Sequence, residues 1–258
     1  MENKVAIVTG STAGIGFAIA KNLASKGAKV VINGRTIEKL KSAEQEIESL
    51  GGKILAIQAD ATDETEIKRI VAETVQYFGK IDILVNNAAT TGVGVSVAEM
   101  PIETWDEVMN VNLRGVFLFC KTVVPHLLEQ KWGRIISIGG LSSKNPLPFG
   151  AADAASKAGL LALTRCLAAE LGTLNITVNA VVPGLQPDTE TGQEFIERLA
   201  KVFHSDKETI INGTIQRTLA KRNETAEEVA ETVAFLCSEG AGAITGQNLN
   251  VNCGLATY

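Results

Sequence analysis

Short apolar segments alternate with longer helical patterns along this chain, and this alternation constrains the fold most strongly. The sequence predicts strands at 4–9, 28–32, 54–59, 81–85, 134–138 and 177–182. Helical periodicity occupies the intervals at 16–26, 36–50, 62–78, 102–130 and 151–171. Apolar strands that are separated by helices indicate a parallel sheet covered on both faces. With right-handed crossovers, the sequence predicts an α/β fold with a doubly wound sheet.

The length and net charge of the chain limit the number of domains and the classes of binding partner. The chain has 258 residues, no repeat and no linker, which favours one domain over residues 1–258. Its net charge of -5 argues against a nucleic-acid partner, since such a surface would show clustered basic residues. No apolar run approaches the roughly 20 residues of a membrane span, so we expect no membrane association.

Cysteine and histidine usage bear on location and metal binding. The four cysteines are far apart and the N-terminus has no signal-peptide layout, which together predict a cytoplasmic protein. The two histidines, His126 and His204, form no metal-ligand spacing with acids or cysteines, so no metal site is expected.

A glycine-rich loop follows the first predicted strand and opens the first helix. It reads Thr9-Gly10-Ser11-Thr12-Ala13-Gly14-Ile15-Gly16. Free backbone N–H groups and the helix dipole at such a junction favour a pyrophosphate. We expect Gly10 to allow the turn, Gly14 to let the backbone approach phosphate, and Gly16 to permit close helix packing. The sequence therefore predicts a dinucleotide site formed by this loop.

The ends of the second and third strands indicate which dinucleotide binds. The second strand ends in Asn33-Gly34-Arg35, without the carboxylate that would accept hydrogen bonds from the ribose of NAD. Arg35 could pair with a 2′-phosphate, which favours NADP and leaves NAD possible. Asp60 and Ala61 are expected near an adenine ring, although Asp60 could instead cap the next helix.

Motifs in order along nearly the whole chain resemble those of the short-chain dehydrogenase/reductase family. They are Thr9-Gly10 with Gly14-Ile15-Gly16, Asn86-Asn87-Ala88-Ala89, Val111-Asn112, Gly133–Ile138, Ser156–Gly159, Val178–Ala180, Pro183-Gly184 and Ile244–Gln247. The resemblance implies a Rossmann fold of about seven strands, the last near 247–251. It implies that Asn87, Ala88, Lys157 and the Pro183-Gly184-Leu185 segment also bind the cofactor.

The same resemblance bears on the catalytic residues. Asn112 matches the family asparagine of a proton relay, and Lys157 matches the lysine that binds the nicotinamide ribose. The serine position falls on Gly140 and the tyrosine position on Asp153, so the chain is expected to be an atypical member that lacks both hydroxyls. Ser142 and Ser143 lie two and three residues too late to occupy the serine position, unless the loop shifts locally.

The replacement of tyrosine by aspartate changes the chemistry that the site can support. An aspartate carboxyl ordinarily titrates about 6 pKa units below a tyrosine phenol, so it is a poor proton donor to an alkoxide. A lost serine hydroxyl removes an oxyanion donor, which costs about 10²–10³ in rate elsewhere. The alternative is a purely structural role, in which Asp153 and Lys157 form an i,i+4 ion pair on a helix surface.

Three functional hypotheses follow, with Asn112, Asp153 and Lys157 as candidate catalytic residues. The first is an NADP(H)-dependent oxidoreductase acting on a small carbonyl, alcohol or imine, with Asp153 as base or as anchor for a cationic group. The second is a non-redox isomerase, lyase or cyclase, and the third is a catalytically silent nucleotide-binding protein.

Other implications of the resemblance concern the cleft and the assembly. A substrate lid is expected over 186–222, with substrate choice set by the loop at 90–97 and by that lid. Asp188 stands where the family keeps a threonine that contacts nicotinamide, with Thr189 one residue later. The family implies a homodimer or homotetramer built on the two long central helices.

Overall fold

One parallel sheet organises the chain, and the computed structural model describes all 258 residues. Its strands are β1 (Val5–Val8), β2 (Lys29–Gly34), β3 (Lys53–Gln58), β4 (Ile83–Asn86), β5 (Gly133–Ile138), β6 (Ile176–Pro183) and β7 (Asn248–Val251). They lie in the order β3-β2-β1-β4-β5-β6-β7, and every neighbouring pair is parallel. The predicted doubly wound α/β fold is confirmed, including the seventh strand.

Nine α-helices connect or follow the strands. They are α1 (Gly14–Ser25), α2 (Ile37–Ser49), α3 (Glu64–Phe78), α4 (Ile102–Met109), α5 (Gly115–Gln130), α6 (Ala151–Leu171), α7 (Glu190–Val202), α8 (Lys207–Arg217) and α9 (Ala226–Cys237). Helices α1, α2 and α9 cover one face of the sheet, and α3, α5 and α6 cover the other.

Side-chain alternation along each strand divides the interior into two cores. On β4, Ile83 and Val85 join the core beneath α1 and α9, while Leu84 joins the core beneath α3 and α5. All three are completely buried. Strand side chains point alternately to opposite faces, so a strand that is buried on both sides must be apolar at every position. This explains the uninterrupted apolar runs in the sequence.

The strand order reverses beside β1, and this reversal locates the ligand crevice. β1 pairs with β2 on one side and with β4 on the other. Parallel strands end at the same edge of the sheet, and a crevice opens at the carboxyl edge where the order switches. The loops after β1, β4, β5 and β6 therefore meet there, and these loops carry most of the predicted site residues.

The helical segment predicted over 102–130 is interrupted. A π-helical turn at Asn110–Arg114 separates α4 from α5, and such turns often occur at functional sites. By length and composition alone Ile102–Gln130 could cross a membrane, so the expectation that no apolar segment approaches that length was wrong. In this structure α5 packs on α3 and on β4 and β5. A helix that is buried in a protein core is apolar, and so it can meet the same length and composition criteria as a membrane span.

We expect Asp63→Ala to lower the free energy of unfolding by about 1 kcal/mol. Asp63 Oδ1 accepts from the backbone N–H groups of Thr65 and Glu66 at 2.8 and 2.9 Å, and thereby caps α3. The melting temperature should fall by about 2–4 °C. Thr36→Ala is the matched control, because Thr36 precedes α2 but its side chain makes no capping bond. Equal losses in the two variants would contradict this account.

Candidate active site

The loop between β1 and α1 adopts conformations that require glycine. Gly10 has φ +60° and Gly14 has φ +55°, both in the left-handed region. A Cβ on Gly10 would lie 2.8 Å from Ala88 Cα, and a Cβ on Gly16 would overlap the Gly10 carbonyl and the Asn87 amide. Ile15 and Thr12 lie in the same turn, and Thr12 rests against Gly34 at the end of β2. The loop is thus closely packed against its neighbours.

Hydrogen bonds join this loop to the loop after β4. Thr9 Oγ1 accepts from the backbone N–H groups of Asn87 and Ala88 at 2.9 and 3.0 Å. Asn87 Nδ2 donates to the carbonyls of Thr9 and Gly10, both at 2.9 Å. The side chains of Thr9 and Asn87 are therefore used in holding the two loops together at the crevice.

Asn33 connects the same loop to the ends of β2 and β3. Its Oδ1 accepts from the Gly10 N–H at 3.1 Å, and its Nδ2 donates to the Ala59 carbonyl at 2.9 Å. The Asn33 N–H donates to Ser11 Oγ, which itself donates to the Val8 carbonyl at 2.7 Å. Both Ser11 and Asn33 are buried. In the sequence Asn33 is notable only because it is not a carboxylate, whereas in the structure its side chain organises the loop.

The residues predicted to select the cofactor lie along the carboxyl edge beyond β2 and β3. Arg35 is exposed, and its guanidinium makes no hydrogen bond or ion pair within the chain. Asp60 Oδ1 accepts from the Thr62 N–H and hydroxyl at 2.8 and 2.7 Å. Asp60 therefore closes a turn, and Asp63 rather than Asp60 caps α3. The Ala61 carbonyl faces Gly115 at the start of α5.

The segment after β6 is held by a buried acid that sequence reasoning missed. Glu224 Oε1 accepts from the Gly184 N–H at 2.6 Å and from Gln186 Nε2 at 3.1 Å. Glu224 is buried, and burial raises the pKa of its carboxyl above the ordinary value. Leu185 is buried beside Pro183 and Gly184. No local pattern links Glu224 to this segment, because the two are about forty residues apart.

Thr189, and not Asp188, lies beside the glycine loop. Thr189 is buried at the start of α7, while Asp188 is exposed. A Cβ on Gly14 would lie 3.4 Å from Thr189 Cβ. The segment predicted as a lid contains α7 and α8, and Glu190 pairs with Lys39 of α2 at 2.7 Å. The threonine one residue late in the sequence thus reaches the crevice.

A chain of polar groups links Asn112 in the π-helical turn to the start of α6. Asn112 is buried, accepts from the Thr90 N–H at 2.9 Å, and donates to the Thr90 carbonyl at 3.0 Å. Asn112 Nδ2 also lies 3.1 Å from Ser156 Oγ, which donates to the Asp153 carbonyl at 2.9 Å. The predicted residues Asn112 and Asp153 are therefore brought together, with the unpredicted Ser156 between them.

Lys157 is buried under the same cleft and makes no ion pair with Asp153. Its Nζ donates to the Ile138 carbonyl at the end of β5, at 3.0 Å. Burial lowers the pKa of the Lys157 ammonium from its usual range, while the charge of Asp153 acts in the opposite direction. The alternative of a surface i,i+4 ion pair does not describe this geometry.

Ser142 lies beside Gly140 and bonds to Asp153. Ser142 Oγ donates to Asp153 Oδ2 at 2.5 Å. A Cβ on Gly140 would lie 3.5 Å from both Ser142 Oγ and Lys157 Cγ. The single turn of 3₁₀ helix at Leu141–Ser143 folds the loop back and brings this hydroxyl close. The structure thus brings Ser142 close to the Gly140 position, which is the alternative that the sequence left open for a local shift of this loop.

These features define a class of protein: a Rossmann-fold enzyme with a dinucleotide crevice and a lysine, an asparagine and an acid at its centre. The chain matches the family described as enoyl-(acyl carrier protein) reductase over residues 10–256. The 3-oxoacyl-(acyl-carrier-protein) reductase of Thermotoga maritima is 37% identical over 257 residues, which cover 99% of this chain and 98% of that protein. The chain belongs to the short-chain dehydrogenase/reductase family.

Solved structures agree with this assignment. A variant of actinorhodin polyketide ketoreductase with NADPH superposes with a TM-score of 0.94 at 36% identity, covering 99% of this chain and 98% of that one. Xylitol dehydrogenase bound to NAD⁺ also superposes with a TM-score of 0.94, at 31% identity, covering 98% and 99% of the two chains. The relatives are oxidoreductases, so the chain is an oxidoreductase of the NAD(P)-binding type.

We expect Gly16→Ala to displace the loop, because the added methyl would overlap the fixed carbonyl of Gly10. The free energy of unfolding should fall by about 1–3 kcal/mol. The affinity for NADPH, measured by fluorescence titration, should fall about 10-fold or more. Gly172→Ala is the matched control, since nothing lies within 4 Å of a Cβ there. Unchanged NADPH affinity in Gly16→Ala would refute the proposed role of the loop.

Proposed function

We propose that this protein is an NADP(H)-dependent oxidoreductase that acts on a small carbonyl, alcohol or imine through a rearranged active site. The single observation that carries the proposal is the juxtaposition of Lys157, Asp153 and Ser142 beside an intact dinucleotide crevice. A cytoplasmic location and a homodimer or homotetramer are part of the same proposal, as is a substrate lid over 186–222.

Three observations support NADP as the cofactor. A relative of the same fold was crystallised with NADPH. The end of β2 carries the exposed, unpaired guanidinium of Arg35 and no carboxylate. Asn33, two residues before Arg35, is neutral and its side chain is hydrogen-bonded to Gly10 and Ala59, so it does not repel a 2′-phosphate. Another relative binds NAD⁺, so the choice depends on this edge of the crevice.

The residues proposed to bind the cofactor would contact different parts of it. The backbone N–H groups at the start of α1 would meet the pyrophosphate. Lys157, whose stem lies against Gly140, would reach the nicotinamide ribose, and Thr189 would contact the nicotinamide amide. Asp60 and Ala61 would border the adenine, while Thr9, Ser11 and Asn87 act through the loops that they hold in place.

The rearrangement concerns the groups that would contact the substrate. The positions that the family resemblance assigns to serine and tyrosine hold Gly140 and Asp153, and Asp153 is bonded to Ser142. Asp153 lies in the first turn of α6, where the helix N-terminus favours a negative charge. The bound nicotinamide would supply or accept hydride. The protein would orient the substrate through Ser142 and Asp153 and exclude water with the lid.

We expect wild-type protein to bind NADPH more tightly than NADH, and Arg35→Glu to reduce or reverse this preference. A carboxylate would repel the 2′-phosphate and could accept from the ribose hydroxyls. The ratio of dissociation constants from calorimetry should change by about 10- to 100-fold. Lys41→Glu, an equal charge change at an exposed position on α2, is the control. Tight NADH binding by the wild type would exclude the NADP assignment.

We expect the double variant Gly140→Ser with Asp153→Tyr to reduce ketones faster than the wild type. A Cβ on Gly140 makes only ordinary contacts of 3.5 Å or more, so a serine fits. The pair restores a phenol donor and a hydroxyl, and one oxyanion donor alone is worth about 10²–10³ in rate. The kcat/KM for a ketone panel should rise, with each single variant as control. No gain, with NADPH affinity intact, would favour the non-redox or silent alternatives.

A further inference from the structure

Ser142 and Asp153 together form a site with an unusual hydrogen-bonding character. The only hydroxyl proton of Ser142 is donated to Asp153 Oδ2. An ionised carboxylate offers acceptors alone, and a serine oxygen that has donated its proton offers only lone pairs. Both side chains are half-buried, so a ligand in the cleft can still reach them. The pair therefore presents acceptors and no donor to the cleft.

The neighbouring polar groups do not supply a donor either. Lys157 Nζ donates one of its three N–H groups to the Ile138 carbonyl, and in the proposed function the nicotinamide ribose takes the others. Ser156 Oγ donates to the Asp153 carbonyl, and Asn112 Nδ2 is shared between Thr90 and Ser156. A carbonyl that receives hydride becomes an alkoxide and needs a proton or strong donors at its oxygen. This arrangement lacks a group placed to provide one.

We infer that the substrate is a cationic iminium whose N–H donates to the Ser142–Asp153 pair. This inference rests on the proposed NADP(H)-dependent oxidoreductase function and names its substrate class. A charge-assisted N–H bond to a carboxylate is stronger than a neutral one. A ketone of the same shape would place a partly negative oxygen against the same acceptors. The pair thus selects the cation and rejects the isosteric carbonyl.

The reaction balances without a proton donor. NADPH transfers hydride to the iminium carbon, the C=N π electrons return to nitrogen, and the products are a neutral amine and NADP⁺. No proton moves in this step, and the amine acquires one from solvent after release. The absence of a placed acid, which is a handicap for carbonyl reduction, is therefore immaterial for this substrate.

The cleft around the pair is shaped by segments that the sequence identified as substrate-determining. A Cβ on Gly92 would lie 3.2 Å from Ala152 Cβ, next to Asp153 on α6. A Cβ on Gly94 would lie 3.8 Å from Val202 Cγ2 on α7, and the Gly94 N–H donates to the Phe149 carbonyl at 2.8 Å. The loop at 90–97 thus contacts α6 next to Asp153, the loop before α6, and the lid.

The test compares size-matched pairs of substrates with saturating NADPH. The pairs are 1-pyrroline with cyclopentanone and 3,4-dihydroisoquinoline with 1-tetralone, with the imines assayed at a pH where they are protonated. For the wild type we expect kcat/KM for the iminium to exceed that for the ketone by about 100-fold or more. This comparison requires no variant and so does not depend on a substitution being tolerated.

Variants then assign the preference to the pair. Asp153→Asn should lower kcat/KM for the iminium by about 10- to 100-fold, since it removes the charge at constant shape, and should raise the ketone value, because the amide offers the ketone oxygen an N–H donor. Ser142→Ala should lower the iminium value less, by about 3- to 10-fold. Glu170→Gln removes one charge at the other end of α6, about 25 Å away, and should change neither value. NADPH affinity should be unchanged in all three.

The outcomes separate this inference from the function on which it rests. Reduction of the ketones as fast as the iminium ions, with a ratio unchanged in Asp153→Asn, overturns the inference and leaves the oxidoreductase function standing. If NADPH binds but no member of either pair oxidises it, both the inference and the proposed function are wrong. If Glu170→Gln lowers iminium reduction as much as Asp153→Asn, the effect is one of overall charge and the pair is not the recognition site.

Discussion

The crossed hydrogen bonds between the loops after β1 and β4 are the constraint on which the rest of the site depends. Asn87 can donate to the carbonyls of Thr9 and Gly10 only because Gly16 has no side chain in the space between them. This contact occurs at the reversal of strand order, where two neighbouring loops must diverge. Asn33 holds the other side of the same turn. The backbone N–H groups of α1 are thereby left facing the crevice.

A second set of contacts organises the chemistry at the neighbouring strands. The buried Lys157 ammonium is held by the last carbonyl of β5, and buried Asn112 is held by Thr90. Each polar group is satisfied by another, as the cost of burying an unpaired polar group requires. Lys157 keeps further N–H groups for the proposed cofactor contact, and the oxygen atoms of Ser142 and Asp153 are left to meet a substrate. The hydrogen-bonding character of the cleft therefore depends on which polar groups are already bonded to one another within the protein.

The local sequence pattern predicted most helices and strands well, because each of them depends on residues that are close together in the sequence. The strands of the central sheet are buried on both faces and so read as apolar runs, and α6 begins and ends at the predicted residues. The interruption at Asn110–Arg114 escaped prediction, since its residues continue a helical pattern and the π turn is stabilised by contacts of Asn112 with Thr90 and Ser156. Those contacts are 22 and 44 residues distant.

By itself the sequence determined the doubly wound sheet and the glycine loop, because periodicity and residue identity carry that information. Only the tertiary structure decided that Ser142 turns back to Asp153, that Glu224 holds Gly184, and that Thr189 lies beside Gly14. The physical reason is that these contacts join loops from different strands. Their geometry is set by the packing of the whole sheet edge, which no local pattern encodes.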